Sequence, residues 1–311
     1  MHALLIVNPQ ATSTTQLRRD VIVSALASEI DLEVVQTRYR GDAAALAAGA
    51  ADRRLDLVLT LGGDGTVNEA VNGLLQTDGA RRPEELPALA PIPGGNANVF
   101  IRSLGLPADP IDATGRILAA IAERKSRSVG IGQAGDRYFI FCAGLGIDAE
   151  VVRAMEGLRA GGRKASDALY MWTALRQYYA VTDRRHPALT LERNGQPPVE
   201  NLFLAVVSNS APWTYLGRRP VNPNPLANFD SGLDVFALRR LRTVSTLRVI
   251  RQMLSSTNRA MNGANVVSLH DEREFTLRSV RPIAWQVDGE YMGEHECVAF
   301  RSIPHALRVF A

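Results

Sequence analysis

The stretch that most constrains this chain is residues 56–75, DLVLTLGGDGTVNEAVNGLL. Residues 56–61 form a short apolar run closed by Gly62 and Gly63, the pattern of a strand buried on both faces. Beyond the turn, Val67, Ala70, Val71, Leu74 and Leu75 recur at helical spacing and give one apolar face. Between strand and helix lie Gly62, Gly63, Asp64, Gly65 and Thr66, where glycine permits backbone conformations and close approaches that a Cβ forbids. A glycine turn feeding a helix N-terminus offers N–H groups and the positive end of a dipole, which suits a phosphate. Asp64 repels a phosphate directly, so it belongs there only if a divalent cation lies between the two or if it orients a hydroxyl. The stretch therefore reads as a nucleotide phosphate site with a metal.

What precedes and follows it fits that frame. Strands are expected at 3–7, 32–37 and 88–92, and helices at 14–29 and 42–51, the latter alanine-rich, with two more up to about residue 124. Strands alternating with helices imply a parallel sheet covered on both faces. Ligands of such sheets bind beyond the carboxyl ends of the strands. Three loops with turn chemistry leave those ends: Asn8-Pro9-Gln10-Ala11-Thr12, Gly62 to Asn68, and Pro93-Gly94-Gly95-Asn96-Ala97-Asn98. All three are expected to converge on one crevice.

After about residue 126 the pattern changes to short, closely spaced strands with hairpin turns such as Ala134-Gly135-Asp136 and Asn194-Gly195. Strands are expected at 137–142, 188–192, 202–207, 233–238, 266–270, 274–278, 283–287 and 298–301, with helices at 148–158, 165–181 and 243–261. This reads as a second, mainly antiparallel domain, a sandwich. The expected division is 1–127 for an α/β nucleotide domain and 128–311 for the β-sandwich domain, with the last strand returning to the first. A length of 311 residues accommodates both.

Composition narrows the class. No apolar run is long enough to span a bilayer, and residues 1–10 lack the basic start of a signal peptide. Two cysteines, Cys142 and Cys297, make no disulfide framework and suit a reducing cytoplasm. The expected location is cytoplasmic. A net charge of +3, scattered along the chain, is too small for a nucleic-acid binder. Of 35 basic residues only Lys125 and Lys164 are lysines, so any phosphate clamp here is mainly arginine.

Other motifs carry less. Gly130 to Gly135 spells GxGxxG, but a hairpin strand follows it where the dinucleotide fingerprint needs a helix. Gly161-Gly162-Arg163-Lys164 reads as a solvated turn or a basic loop. His295 and Cys297, beside Glu294 and Glu296, fit a surface hairpin better than a metal site, since a second ligand pair is missing. Asp288-Gly289 is a favoured hairpin pair, so on the residues alone Asp288 and Glu290 read as a plain turn ahead of two acids presented together.

At this point the residues match a family. GGDGTVNEAVNGL, with Asn68 and Glu69 directly after the turn, resembles the catalytic signature of diacylglycerol kinases and related lipid kinases. The resemblance runs on through PGGNANVFIRSLGLP (93–107), AGLGIDAEVV (143–152), VDGE (287–290) and SIPHALRVF (302–310), so it covers nearly the whole chain. In detail it is similar to bacterial soluble lipid kinases of the DgkB and YegS type. It implies an α/β nucleotide domain and a C-terminal β-sandwich with the active site in the cleft between them, ATP as donor, Mg2+ as cofactor and a lipid alcohol as acceptor. It places Asn8, Pro9, Gln10, Ala11, Thr12, Thr37, Gly62, Gly63, Asp64, Gly65, Thr66, Val67, Asn68, Gly95 and Asn96 at the nucleotide. It makes the VDGE turn the source of the general base, Asp288 ahead of Glu290, and casts Asp64 as the organiser of Mg2+.

Two departures stand out. Asn96 and Val99 replace the Thr and final Asp of the Gly-Thr-x-Asn-Asp loop common in relatives, which removes any metal role at Val99. Relatives also carry an Asp before a Gly at a structural Mg2+ site; here Ser231 precedes Gly232, leaving Asp230 as the substitute ligand. The lipid substrate, most readily diacylglycerol, requires contact with an anionic membrane. Arg184 and Arg185, Arg218 and Arg219 beside Trp213 and Tyr215, and Arg239, Arg240 and Arg242 are the candidate contacts, each also readable as solvated surface. A homodimer is left open. The alternatives are an NAD kinase or other soluble-metabolite kinase sharing the GGDG turn, and a catalytically silent lipid- or nucleotide-binding protein.

Overall fold

The structure, a computed structural model, describes residues 1–11, 15–76, 82–160, 167–178, 182–255 and 259–311. Thr12 and the basic stretch 161–164 lie outside the described residues. The chain divides into two compact units, Met1–Ile131 with Pro304–Ala311, and Gly132–Ile303.

The first unit runs β1 (His2–Val7), α1 (Gln16–Ala27), β2 (Asp31–Gln36), α2 (Asp42–Asp52), β3 (Leu57–Gly62), α3 (Asp64–Leu75), β4 (Ala88–Pro93), α4 (Val99–Ser103) and α5 (Pro110–Ala122). Its strands lie in the order β2-β1-β3-β4 and are all parallel. β3 and β4 are buried along their whole length, whereas β2, at the edge, is largely exposed. That contrast is the physical origin of the apolar runs at 57–61 and 88–92: helices cover both faces of the inner strands. The alanines of α2 also find their reason. A Cβ on Gly73 of α3 would stand 2.0 Å from the Ala44 carbonyl oxygen, so the two helices meet at a separation that only small residues permit.

The second unit contains the hairpin strands β5 (Arg127–Ala134, its last residues) and β6 (Arg137–Phe139), then β7 (Cys142–Gly146), α6 (Ile147–Ala160), α7 (Asp167–Arg176), β8 (Leu189–Glu192), β9 (Val199–Leu202) and β10 (Leu204–Ser208). It continues through β11 (Thr214–Leu216), β12 (Arg219–Val221), β13 (Leu233–Leu238), α8 (Thr243–Met253), β14 (Val266–Glu272), β15 (Glu274–Val287) and β16 (Glu290–Val309). β7, β8, β10, β13, β14 and β15 pair antiparallel along the sheet, as do β15 with β16 and the hairpins β5–β6, β8–β9 and β11–β12. The sequence suggests separate strands at 274–278 and 283–287. They are one strand, β15, with a register shift between Arg278 and Ile283. Its first half pairs with β8 and its second half with β7, so one bent strand serves two layers.

One core fills the space between those layers, drawing Leu145, Val207 and Val235 from one side and Leu191, Leu277 and Phe300 from the other. Alternate residues of β10 and β13, among them Leu204, Val206, Phe236 and Leu238, face a second cluster closed by Val249 of α8. Strands buried on both faces read as continuous apolar runs, which is how they appear in the sequence. β16 is 20 residues long, and its last part, from Pro304, belongs to the first unit, where Val309 pairs with Leu89 of β4 in parallel.

Candidate active site

β1, β3 and β4 are neighbours, and the loops leaving their carboxyl ends meet. A Cβ on Gly94 would stand 3.0 Å from Gly62 Cα and 3.1 Å from Ala11 Cβ, and one on Gly95 would stand 2.7 Å from Gly63 Cα. The Gly94 N–H donates to the Gly62 carbonyl at 2.7 Å. None of these four glycines lies in the left-handed region; Gly63 is extended at φ −87°, ψ −176°. The turn therefore needs glycine for close approach, and the expectation of unusual backbone conformations there is not met.

Asn8 ties the first loop to this turn. Its N–H donates to the Leu61 carbonyl at 3.0 Å and its Nδ2 to Thr66 Oγ1 at 3.2 Å, while its Oδ1 accepts from the Gln10 N–H. Pro9 and Gln10 are exposed beside it, and the Thr37 N–H, just past β2, donates to the Val7 carbonyl. The Thr66 and Val67 N–H groups donate to the Gly63 carbonyl at 3.0 and 3.2 Å, which leaves those of Asp64 and Gly65 as the helix-start donors without an intrahelical acceptor, and Gly63 supplies no side-chain cap. The three loops thus surround a helix N-terminus suited to phosphate oxygens.

Two further residues expected at the nucleotide have inward-facing side chains. Val67 and Asn68 are buried in α3, and Asn68 Oδ1 accepts from Asn72 Nδ2 at 3.1 Å. Packing within the core under α3 fixes both side chains. Glu69 is a brace: its Oε1 accepts the Gly41 N–H at the start of α2.

Asp64 has a double attachment. Its Oδ2 accepts from the Val99 N–H at 3.0 Å and its Oδ1 from the Phe100 N–H at 3.1 Å, so it caps α4 from another loop. Burial pushes its carboxyl up to about 6, against the pull of those two N–H groups and the charge of Arg102. Asn98, at φ +46°, locks the same loop by exchanging side-chain hydrogen bonds with the Gly95 N–H and carbonyl. Gly95 is half-buried and Asn96 exposed on that loop.

In the second unit, Asp288 and Gly289 form a two-residue hairpin turn between β15 and β16, with φ of +48° and +79°. Both signs are those of a type I′ turn, for which Asp-Gly is favoured. The Asp288 side chain is buried. Its Oδ2 accepts from the Ile140 N–H at 2.7 Å, and its Oδ1 accepts from the Phe141 and Cys142 N–H groups, each at 3.0 Å. Glu290, two residues on, is half-buried at the start of β16.

A polar chain that the sequence does not announce supports this turn. Gln286 Oε1 accepts the Gly289 N–H at 2.8 Å, and Gln286 Nε2 donates to Asp148 Oδ2 on α6 at 2.8 Å. Burial pushes the Asp148 carboxyl up to about 6, with the Gln286 bond pulling it back. Glu156 Oε1, also on α6, accepts the Tyr291 N–H. The one signal was Gln286 itself, a polar residue inside an apolar strand run.

Among the described residues, no group of three or more His, Cys, Asp or Glu side chains is arranged to hold a metal ion. Asp230, the metal ligand expected in the second unit, is exposed in a turn where its N–H donates to Asn228 Oδ1, and it belongs to no such group of three among the described residues. His295 and Cys297 are exposed on β16, with His295 edge-on to Trp285.

Residues 2–134 match the diacylglycerol kinase catalytic domain family. A protein of Chromohalobacter salexigens named "Probable lipid kinase YegS-like" is 30% identical over 265 residues, 83% of this chain and 77% of that protein. The chain belongs to the diacylglycerol kinase catalytic-domain family. It is a kinase. A "Diacylglycerol kinase" of Bacillus subtilis is 41% identical over 111 residues, which span 35% of this kinase and only 33% of that enzyme. A crystal structure of a diacylglycerol kinase from Bacillus anthracis overlays at a TM-score of 0.73 and 21% identity, covering 99% of this kinase and 96% of that chain. A second Bacillus anthracis structure gives 0.78 at 24% identity over the same shares. At those identities the likeness is one of fold.

Proposed function

We propose that this kinase transfers the γ-phosphoryl group of ATP to the primary hydroxyl of a lipid alcohol, diacylglycerol foremost, giving ADP and phosphatidic acid. The observation that carries the proposal is the close convergence of three loops on the N-terminus of α3, with Gly94 against Gly62 and Ala11. It is a rigid, main-chain phosphate cradle, and phosphoryl transfer depends chiefly on such positioning and on charge neutralisation. The names of the relatives support a lipid as acceptor.

The chain's own residues suit a hard cation at Asp64. Two N–H bonds occupy two of about four acceptor directions of that carboxylate, and its raised pKa marks a charge that burial leaves under-compensated. Mg2+ held there, directly or through water, would neutralise phosphate charge. Asp64 also fixes the second loop through Val99 and Phe100, so one residue serves both the cation and the shape of the cradle.

The proton of the acceptor hydroxyl is assigned to Glu290. The sequence favours Asp288, but three backbone N–H groups engage the Asp288 carboxylate and it is buried. Asp288 is cast as a positioning residue that holds the turn, with Gln286 and Asp148 behind it. The lipid acceptor lies in a membrane, and no helix among the described residues is long and apolar enough to cross one. Contact with an anionic membrane surface is therefore part of the proposal.

ADP release by the purified protein, with Mg-ATP against diacylglycerol, ceramide, sphingosine, an undecaprenol-type alcohol and NAD, tests it. Turnover with diacylglycerol is expected. Turnover with NAD alone, or with none of these acceptors, refutes it.

A further inference from the structure

Two arginine pairs or runs more than fifty positions apart meet in one pocket. Arg184 and Arg185 share with Arg239, Arg240 and Arg242 a cavity of about 460 Å³ in the second unit. The remaining lining is neutral, Phe203 and Leu241 included. Of the two acids adjacent to the lining in sequence, Asp183 directs its carboxylate to the Arg185 N–H and to His186, and Glu200 is exposed. The Arg184 guanidinium lies 5.0 Å over the Tyr178 ring, and Arg239 donates to the Glu200 carbonyl, which fixes two of the five. Planar guanidinium groups gathered without a carboxylate in the lining suit a phosphate.

α8 starts at this pocket, with Arg242 as both its N-cap and part of the wall. One side of the helix is anchored, Val249 and Met253 packing on Phe236, Leu238 and Leu241. The other side presents Val244, Leu247 and Ile250, which are 78%, 61% and 44% exposed. Arg248 and Arg251 are exposed alongside them, and α8 contains no acidic residue. The helix is braced at both ends. The Tyr178 hydroxyl bonds the Leu241 carbonyl and Thr246 Oγ1, and the Arg219 guanidinium caps the far end at the Leu254 carbonyl. Arg219, one of the sequence's membrane candidates, therefore has a capping role.

We propose that this face docks on an anionic lipid bilayer, with Val244, Leu247 and Ile250 entering the interface and the arginine pocket receiving a lipid phosphate. The inference deepens the lipid-kinase proposal and rests on it for the choice of occupant. A bilayer supplies what the face lacks: acyl chains for an outward apolar stripe and phosphates for basic flanks. A helix anchored on one side and apolar on the other lies in the plane of such an interface.

The test is co-sedimentation with vesicles of phosphatidylcholine alone or mixed with phosphatidylglycerol, without diacylglycerol or ATP. Binding is expected to the mixed vesicles only and to reverse with salt. The pair Arg240→Gln and Arg242→Gln should weaken it about 25-fold, at about fivefold for each arginine. Leu247→Gln should weaken it about tenfold. All these positions are outside the proposed catalytic machinery, so turnover of a water-soluble short-chain diacylglycerol and the melting temperature should stay at the wild-type values.

Wild-type vesicle binding by these variants overturns the proposal, as does equal binding to pure phosphatidylcholine. Release by inorganic phosphate beyond that caused by KCl of equal ionic strength assigns the pocket to a soluble phosphate and also overturns it. So does a dimer that Leu247→Gln splits, which makes the face a contact between copies of this chain. Vesicle binding without any lipid phosphorylation keeps the docking face and removes the proposed function; lipid phosphorylation with unaltered binding of the variants does the reverse.

Discussion

Replacing each acid of the VDGE turn by its amide should separate holding from chemistry. In Asp288→Asn the side chain keeps one oxygen for the Phe141 and Cys142 N–H groups, but its new amide faces the Ile140 N–H, now 2.7 Å from Oδ2. Ile140 is fully buried, so that donor has no water to turn to. An orphaned buried N–H costs about 1–3 kcal/mol, and two further bonds lose the strength a carboxylate gives them. A total of about 3 kcal/mol is expected, and at about 2–4 °C per kcal/mol the melting temperature should fall by about 6–12 °C. Glu290 is only half-buried, so Glu290→Gln should lower the melting temperature by less than Asp288→Asn does. Its turnover with diacylglycerol should instead fall about 10²–10⁴-fold, with the KM for ATP unchanged. Scanning calorimetry and ADP release on the same preparations give both readouts. An Asp288→Asn protein as stable as wild type, or a Glu290→Gln protein with full turnover, refutes the division of labour.

Gly95→Ala places a Cβ 2.7 Å from Gly63 Cα, backbone on both sides, and should lower kcat/KM for ATP about tenfold or more by parting the loops. Gly115→Ala, on the exposed face of α5 with nothing within 4 Å, is the control and should leave kinetics intact while stabilising by about 0.5–1 kcal/mol. Asp148 titrates near 6 in the folded protein against an ordinary value of 3.8, so the native state holds the extra proton between those values. Its contribution to stability is therefore greatest below about pH 4 and is lost as the pH rises through 6; Asp148→Asn should abolish that slope and gain stability at pH 7, as denaturant titration at several pH values would show. Chelation with EDTA should abolish turnover and added Mg2+ should restore it; undiminished turnover in EDTA would remove the cation from Asp64.

How much of this was legible in the sequence follows from the range of each interaction. The strand, glycine turn and helix at 56–75 are a local pattern, and so are the parallel strands whose two-sided burial leaves unbroken apolar runs. β7 was not legible as it stands. Cys142-Ala143-Gly144-Leu145-Gly146 has poor strand propensity, yet contacts require its glycines: a Cβ on Gly146 would lie 2.6 Å from the Phe203 carbonyl oxygen, and one on Gly144 1.9 Å from Asp148 Oδ2. β15 looked like two strands because Val280, Arg281 and Pro282 interrupt its alternation where it bends from one layer to the other.

For the site, the meeting of the three loops was legible, because a parallel sheet fixes where they emerge. What each acid does was not. Asp64 finds its donors 35 and 36 residues away and Asp288 finds its own 146 to 148 residues away, distances at which no spacing rule operates. To the sequence, Asp288 and Glu290 are two acids beside one glycine. The fold makes them unequal by bringing the N–H groups of Ile140, Phe141 and Cys142 to the first, and the same long-range closure gathers five arginines at the start of α8. An acid in a glycine turn is thus legible as chemistry near a phosphate or a hydroxyl. Whether its oxygens remain available for that chemistry is decided by backbone donors from elsewhere in the chain.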